Sequence, residues 1–102
     1  MKEIDIWDYV QNRGENDILI DIRDEGTFAF GTIPGAVNIP MSRIQELYDL
    51  PTDRDIYVFC QAGEVSGEMV ELLTDNGCNA FNLTGGYRKY LRQSAREGGV
   101  KP

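Results

Sequence analysis

Hydrophobic and polar positions along the chain fall into two alternating rhythms. Ile18-Leu19-Ile20-Asp21-Ile22 is a short, β-branched apolar run, the pattern of a strand covered on both faces, and Ile56-Tyr57-Val58-Phe59 is a second. Val37-Asn38-Ile39 and Ala80-Phe81-Asn82-Leu83 are weaker strands. Helical patterns lie between them, at Trp7–Asn12, Ser42–Tyr48, Val65–Asn76 and Tyr87–Gln93. In Val65–Asn76 the apolar positions Val65, Met69, Leu72 and Leu73 keep helical spacing, with Glu64, Glu68, Glu71 and Asp75 on other faces. Asn76-Gly77 then supplies a helix stop. Strands separated by helical crossovers imply a parallel sheet covered on both faces, so the fold class is α/β.

The 102 residues suit one domain, 1–102, with the last few residues read as a flexible tail. No run approaches the ~20 apolar residues that span a bilayer, and Glu3, Asp5 and Asp8 crowd the N-terminus. Neither a signal peptide nor a membrane segment is expected. Two cysteines and no histidine exclude a multi-disulfide scaffold and a Cys/His zinc site; a reducing cytoplasm is the default, with no metal. The net charge of −7 is uneven. Residues 1–86 carry five cations against sixteen anions, whereas 87–102 carry Arg88, Lys89, Arg92, Arg96 and Lys101 against Glu97 alone. Nucleic acid is a poor partner for so acidic a bulk. Cations at the end of a last helix also favour its dipole.

Ligands of open parallel α/β sheets gather beyond the carboxyl ends of the strands, where loops lead into helix N-termini. Cys60 stands at such an end, directly after Ile56–Phe59, and Gln61-Ala62-Gly63-Glu64-Val65-Ser66-Gly67 leads on into a helix. Successive N–H groups in such a loop can curl around one atom, and the helix dipole adds positive potential, so a thiolate is stabilised and becomes a nucleophile. On position alone Cys60 also fits a small buried hydrophobe.

Three further segments decide between these readings. Asp21-Ile22-Arg23, Gly31-Thr32-Ile33-Pro34-Gly35-Ala36-Val37-Asn38-Ile39-Pro40, Cys60-Gln61-Ala62-Gly63-Glu64-Val65-Ser66 and Leu83-Thr84-Gly85-Gly86-Tyr87 resemble, in order and spacing, the four signatures of the rhodanese family. The resemblance covers nearly the whole chain. It implies a five-stranded parallel sheet flanked by helices on both faces, with Cys60 as the catalytic residue at the base of the loop Cys60 to Val65. It also implies that Gln61, Ala62, Gly63, Glu64, Val65 and Ser66 bind the substrate and the persulfide. Such a cysteine accepts sulfane sulfur from a small donor and hands it to a thiol or cyanide, with no metal or organic cofactor. The chemistry is consistent with a thiolate that attacks the outer sulfur of the donor and holds S–S⁻ among loop amides.

The chain departs from the family pattern twice. Position 32 is Thr where the family usually has His, a residue of structural role. The loop carries no Arg or Lys and has Glu64, which opposes both the thiolate and an anionic donor; unit charges ~6–8 Å apart at an effective dielectric near 20 repel by roughly 2–3 kcal/mol. Thiosulfate is therefore expected to be a poor donor. Arg88 and Lys89, after the turn Thr84-Gly85-Gly86-Tyr87, are expected to flank the same mouth and offset Glu64.

The remaining candidates divide between chemistry and packing. Cys78 lies about 18 Å along a helix from the loop, too far for a resolving disulfide, and is assigned to the core. The resemblance makes Asp21 and Arg23 braces of neighbouring loops rather than an acid/base pair. Trp7, Tyr9, Phe28 and Phe30 read as packing aromatics, and Tyr87 fits either the core or the wall of the mouth. A Cys-x5-Arg phosphatase is disfavoured, because Ser66 stands six places after Cys60 and no Arg occurs from 55 to 87. Two alternatives stay open: a non-catalytic interaction module with a retuned loop, and a sulfur-delivery domain for a redox partner. The second rests on the similarity of Cys60-Gln61 and Gly85-Gly86-Tyr87-Arg88-Lys89-Tyr90 to the rhodanese domain of flavin-dependent coenzyme A disulfide and persulfide reductases.

Overall fold

A computed structural model describes residues 1–97; the expected flexible tail and Lys101 lie outside the described residues. Five strands, β1 (Glu3–Asp5), β2 (Ile18–Asp21), β3 (Val37–Asn38), β4 (Asp55–Phe59) and β5 (Asn79–Thr84), form one sheet in the order β1-β5-β4-β2-β3. Every pairing is parallel. Four α-helices, α1 (Ile6–Gln11), α2 (Glu25–Phe30), α3 (Val65–Asp75) and α4 (Gly86–Arg96), and a 3₁₀ segment over Met41–Asp49 complete the fold. The α/β sheet with helical crossovers stands as the sequence pattern implied. Among the described residues no helix is long and apolar enough to cross a membrane.

The central strand β4 shows why its run is apolar at every position. Ile56 and Val58 enter one core with Ile20, Met69, Val70 and Leu73, beneath α3, while Tyr57 and Phe59 enter the other with Leu19, Trp7 and Tyr90, beneath α1 and α4. A strand buried on both faces has no position to give to solvent. Trp7 and Tyr9 pack as expected, Tyr9 lying 4.3 Å from the Tyr57 ring by centroids. Cys78 is buried in the first core, its thiol donating to the Pro51 carbonyl.

Several expectations need correction. Of the expected α3 stripe, Met69 and Leu73 are buried and Leu72 packs against the core, but Val65 is exposed, and Ser66, Gly67 and Val70 face inward beside them. At its first turn the inward position is Ser66, which contacts Cys60 Sγ, and hydropathy does not register a polar residue placed there. The segment expected as an α-helix over Ser42–Tyr48 is a 3₁₀ run kinked at Arg43, whose guanidinium donates to the Asn38 carbonyl and meets Glu46. Two elements carry no apolar signal. β1 is a three-residue polar edge strand, held by pairing to β5, and α2 buries none of its residues. Phe30, at the end of α2, is 99% exposed and is no packing aromatic.

The stop after α3 is a Schellman arrangement. Gly77, at φ 90°, donates to the Thr74 carbonyl, and Cys78 N–H donates to Leu73. At the other end of the sheet, Asp5 closes β1 and caps α1 through Trp7 and Asp8 N–H.

Candidate functional site

Three strand ends meet at one edge of the sheet. Asp21 of β2 is in register with Phe59 of β4, and β5 runs on the other side of β4 into Gly85 and Gly86. The loop after β4 therefore has a neighbour on each flank. On the β5 side α4 takes two of its carbonyls: Tyr87 N–H donates to Cys60 O at 2.9 Å and Arg88 N–H to Gln61 O at 3.0 Å. Peptide planarity turns the Ala62 N–H, opposed to the Gln61 carbonyl, the other way, toward the sulfur. The approach is too close for a side chain, since a Cβ on Gly86 (φ 64°) would lie 2.6–2.7 Å from Gln61 O, Ala62 N and Cys60 O. Gly63, at φ 101°, completes the tight turn.

The result is a ring of donors around Cys60 Sγ. Gly63 N–H donates at 3.1 Å and Ser66 N–H at 3.4 Å, and the Ser66 hydroxyl oxygen lies at 3.4 Å in a contact where either atom can be the donor. Cys60 itself is 6% exposed. Burial pushes the thiol up, but hydrogen bonding to the sulfur, from the Ser66 hydroxyl when its proton turns that way and from the N–H groups of Ser66, Gly63 and Ala62, outweighs it and holds the thiol below its usual range. Cys78, with burial and no such ring, is pushed up instead.

On the β2 side, Asp21 is fully buried and accepts from Arg23 N–H, from its Nε and Nη2, and from Thr32 Oγ1 at 2.7 Å. Thr32 thus serves the buried carboxylate. Arg23 ties the loops together: Nη2 donates to Gly31 O, Nη1 reaches Gln61 Oε1 at 3.4 Å, and the guanidinium lies 4.0 Å from the Tyr87 ring centroid. Four of its five N–H donors thus have protein partners.

Glu64 and Val65 are exposed at the start of α3, outside the ring. At the dielectric of water a charge so placed repels the sulfur roughly a quarter as strongly as the dielectric-20 figure implies. Of the two cations expected at the mouth, Arg88 is exposed there, but Lys89 turns away to pair with Asp5 at the end of β1.

Beside the loop opens a cleft of about 410 Å³ lined by Arg23, Thr27, Phe30, Gly31, Gln61, Tyr87 and Leu91. Tyr87 is both core and wall: it stacks near Phe59 and Tyr90 while bounding this cleft. Phe30, Leu91 and Thr27 were not readable as site residues, because each lies in a segment whose pattern speaks only of exposure. Asn82 was also missed; its one signal is a polar side chain inside an apolar strand. A second hollow, of about 380 Å³, is bounded by Met1, Glu71, Thr74 and Asp75 and holds no nucleophile.

Comparison with known proteins agrees with this geometry. The model of the Rhodanese-like domain matches residues 7–93. The chain is 40% identical over 74 residues to YqhL of Bacillus subtilis, covering 71% of this chain and 59% of that protein. It is 34% identical over 80 residues to a sulfurtransferase of Allochromatium vinosum, covering 76% of this chain and 75% of that one. Among solved structures, reduced CoADR-RHD of Bacillus anthracis superposes with a TM-score of 0.78 at 29% identity, over 94% of this chain and 17% of that chain. With the matched residues running from α1 into α4, the chain belongs to the rhodanese-like domain family.

Proposed function

We propose that the chain is a sulfurtransferase in which Cys60 accepts sulfane sulfur as a persulfide and passes it to a thiol or cyanide. The observation that carries this reading is the donor ring: a buried sulfur facing Gly63 N–H, Ser66 N–H and the start of α3, beside an open cleft. In the loading step the Cys60 thiolate attacks the donor's outer sulfur. An S–S bond forms, the donor's bond to that sulfur breaks, and the electron pair leaves with the remnant as thiolate or sulfite. The charge now rests on the outer sulfur. In the unloading step an acceptor thiolate attacks that sulfur, the same S–S bond breaks and Cys60 thiolate returns. Loop amides stabilise the anion at each stage without reorganising.

The donor we favour is a persulfide rather than thiosulfate. The loop offers no cation to a dianion, and the cleft wall of Tyr87, Leu91 and Phe30 gives an apolar arm a seat. The likeness to a domain that is 17% of CoADR-RHD supports a second reading of the same chemistry, delivery of sulfur to a redox protein. The test is intact mass after exposure of the reduced protein to thiosulfate, glutathione persulfide and coenzyme A persulfide. One added sulfur is expected from the persulfides and little from thiosulfate. The reading fails if no donor adds sulfur, or if Cys60→Ser gains it equally.

A further inference from the structure

Asn82 lies on the face of β5 that meets α3, 2% exposed, and its amide touches the middle of the catalytic loop and the residue that follows it. Nδ2 donates to the Gly63 carbonyl at 3.0 Å, and Oδ1 accepts from the Ser66 hydroxyl. The orientation follows from donor chemistry. A carbonyl can only accept, so the NH₂ faces Gly63 and the oxygen faces Ser66; that oxygen can only accept as well, so it claims the single hydroxyl proton of Ser66. Cys60 Sγ lies 3.4 Å from the same hydroxyl oxygen. With the proton committed to Asn82, the serine offers the sulfur lone pairs, which suit S–H or a neutral disulfide sulfur and not a thiolate. The hydroxyl helps a thiolate only if its proton leaves Asn82, and a fully buried amide oxygen is then left unpaired.

We propose that Asn82 is a positioning residue that directs the Ser66 hydroxyl away from Cys60, so that the deep side of the pocket favours an uncharged Sγ while the loop amides favour charge. The proposal deepens the sulfur-carrier reading and rests on it for its consequence. Loading moves the negative charge from Sγ to the outer sulfur, so the persulfide satisfies the Asn82–Ser66 pair while the empty thiolate does not. The pair thereby tilts the cysteine toward its loaded state. The charged groups around Cys60 are Glu64 at the start of α3, the Asp21–Arg23 pair beyond β2 and Arg88 at the start of α4. Among the described residues none of these side chains hydrogen-bonds Ser66 or Asn82, so their influence stays constant across the variants below.

The experiment follows alkylation of Cys60 against pH in a Cys78→Ala background, for the parent, Asn82→Leu, Ser66→Ala and the double variant. Leucine keeps the branched outline and removes the acceptor that holds the Ser66 proton, freeing it for the sulfur 3.4 Å away. The expected result is a titration midpoint lower by roughly one pH unit, hence alkylation about tenfold faster below it, and no such fall when Ser66 is absent. A merely structural Asn82 gives the opposite sign, because losing the Gly63 bond loosens the amide ring. A midpoint unchanged or raised, or a fall that persists without Ser66, overturns the proposal. Should Asn82→Leu not fold, the infrared S–H stretch of the parent decides the same question. A hydrogen-bonded band that moves to higher frequency in Ser66→Ala supports the proposal, and a band indifferent to Ser66 overturns it. Intact mass after glutathione persulfide treatment of the same proteins separates the two readings. A parent that gains no sulfur overturns the carrier function, whereas the midpoints alone judge Asn82.

Discussion

Cys60 is the residue on which sequence and geometry agree, and its environment makes a pH prediction. The fold holds its thiol below the usual range through the Ser66, Gly63 and Ala62 bonds, while the unfolded chain returns it to about 8.5. A group whose folded value is depressed adds stability above its unfolded value and loses it as pH falls through the folded one. Unfolding free energy measured for the wild type minus Cys60→Ser should therefore climb with pH up to about 8.5 and level off beyond; a flat difference would contradict the thiolate ring. On the proposed function, two neighbouring residues should tune donor use. Glu64 is exposed, so Glu64→Gln should raise kcat/KM for thiosulfate only about two- to threefold, and Arg88→Gln should lower it by a similar factor. Neither should alter use of cyanide as acceptor by the loaded enzyme beyond that screened effect. Cys60 was legible through the company of three other segments that resemble the family's signatures, since its place after an apolar strand also suits a small buried hydrophobe. Asn82 was not, because strand periodicity reports which face a residue occupies and never whom its amide addresses.

At the scale of elements, the loop is shaped from outside as much as from within. Tyr87 and Arg88 N–H groups at the start of α4 take the Cys60 and Gln61 carbonyls, and Gly86 permits the approach. Gly86→Ala should cost roughly 1–3 kcal/mol of stability, through the positive φ and the backbone overlap, and more than tenfold in sulfur transfer. Urea unfolding and transfer rates measured together would show the activity loss exceeding what the unfolded fraction explains. The buried face of α3 gives a second check. Leu73→Ala should cost about 2–5 kcal/mol and Val65→Ser should stay within about 0.5 kcal/mol, an order that apolar periodicity alone does not give. That periodicity located α3, β2 and β4 because each buries a full apolar face. It could not locate β1 or α2, whose positions come from pairing to β5 and from the chain's path beyond Arg23.

For the molecule as a whole, the open question is what approaches the thiol, and the arrangement of charge and apolar surface narrows it. The bulk of the chain is acidic, while Arg88, Arg92 and Arg96 stand exposed along α4. The cleft wall made by Leu91 and Tyr87 belongs to that same helix, and Phe30 closes the opposite side. A donor or acceptor with an apolar arm can cover Phe30, which nothing in the fold needs for stability. Covering half of such a ring is worth about 1 kcal/mol, or roughly fivefold in binding. Phe30→Ser should accordingly leave thermal unfolding unchanged and raise KM for glutathione or coenzyme A persulfide about fivefold. KM for cyanide should not move, because so small an acceptor reaches the outer sulfur without touching Phe30. Equal changes for large and small substrates would place the seat elsewhere, and a lower melting temperature would return Phe30 to the packing role that its sequence context suggested. The contrast between substrates is decisive, since a general loosening of the mouth acts on every substrate and an apolar seat acts only on those long enough to use it.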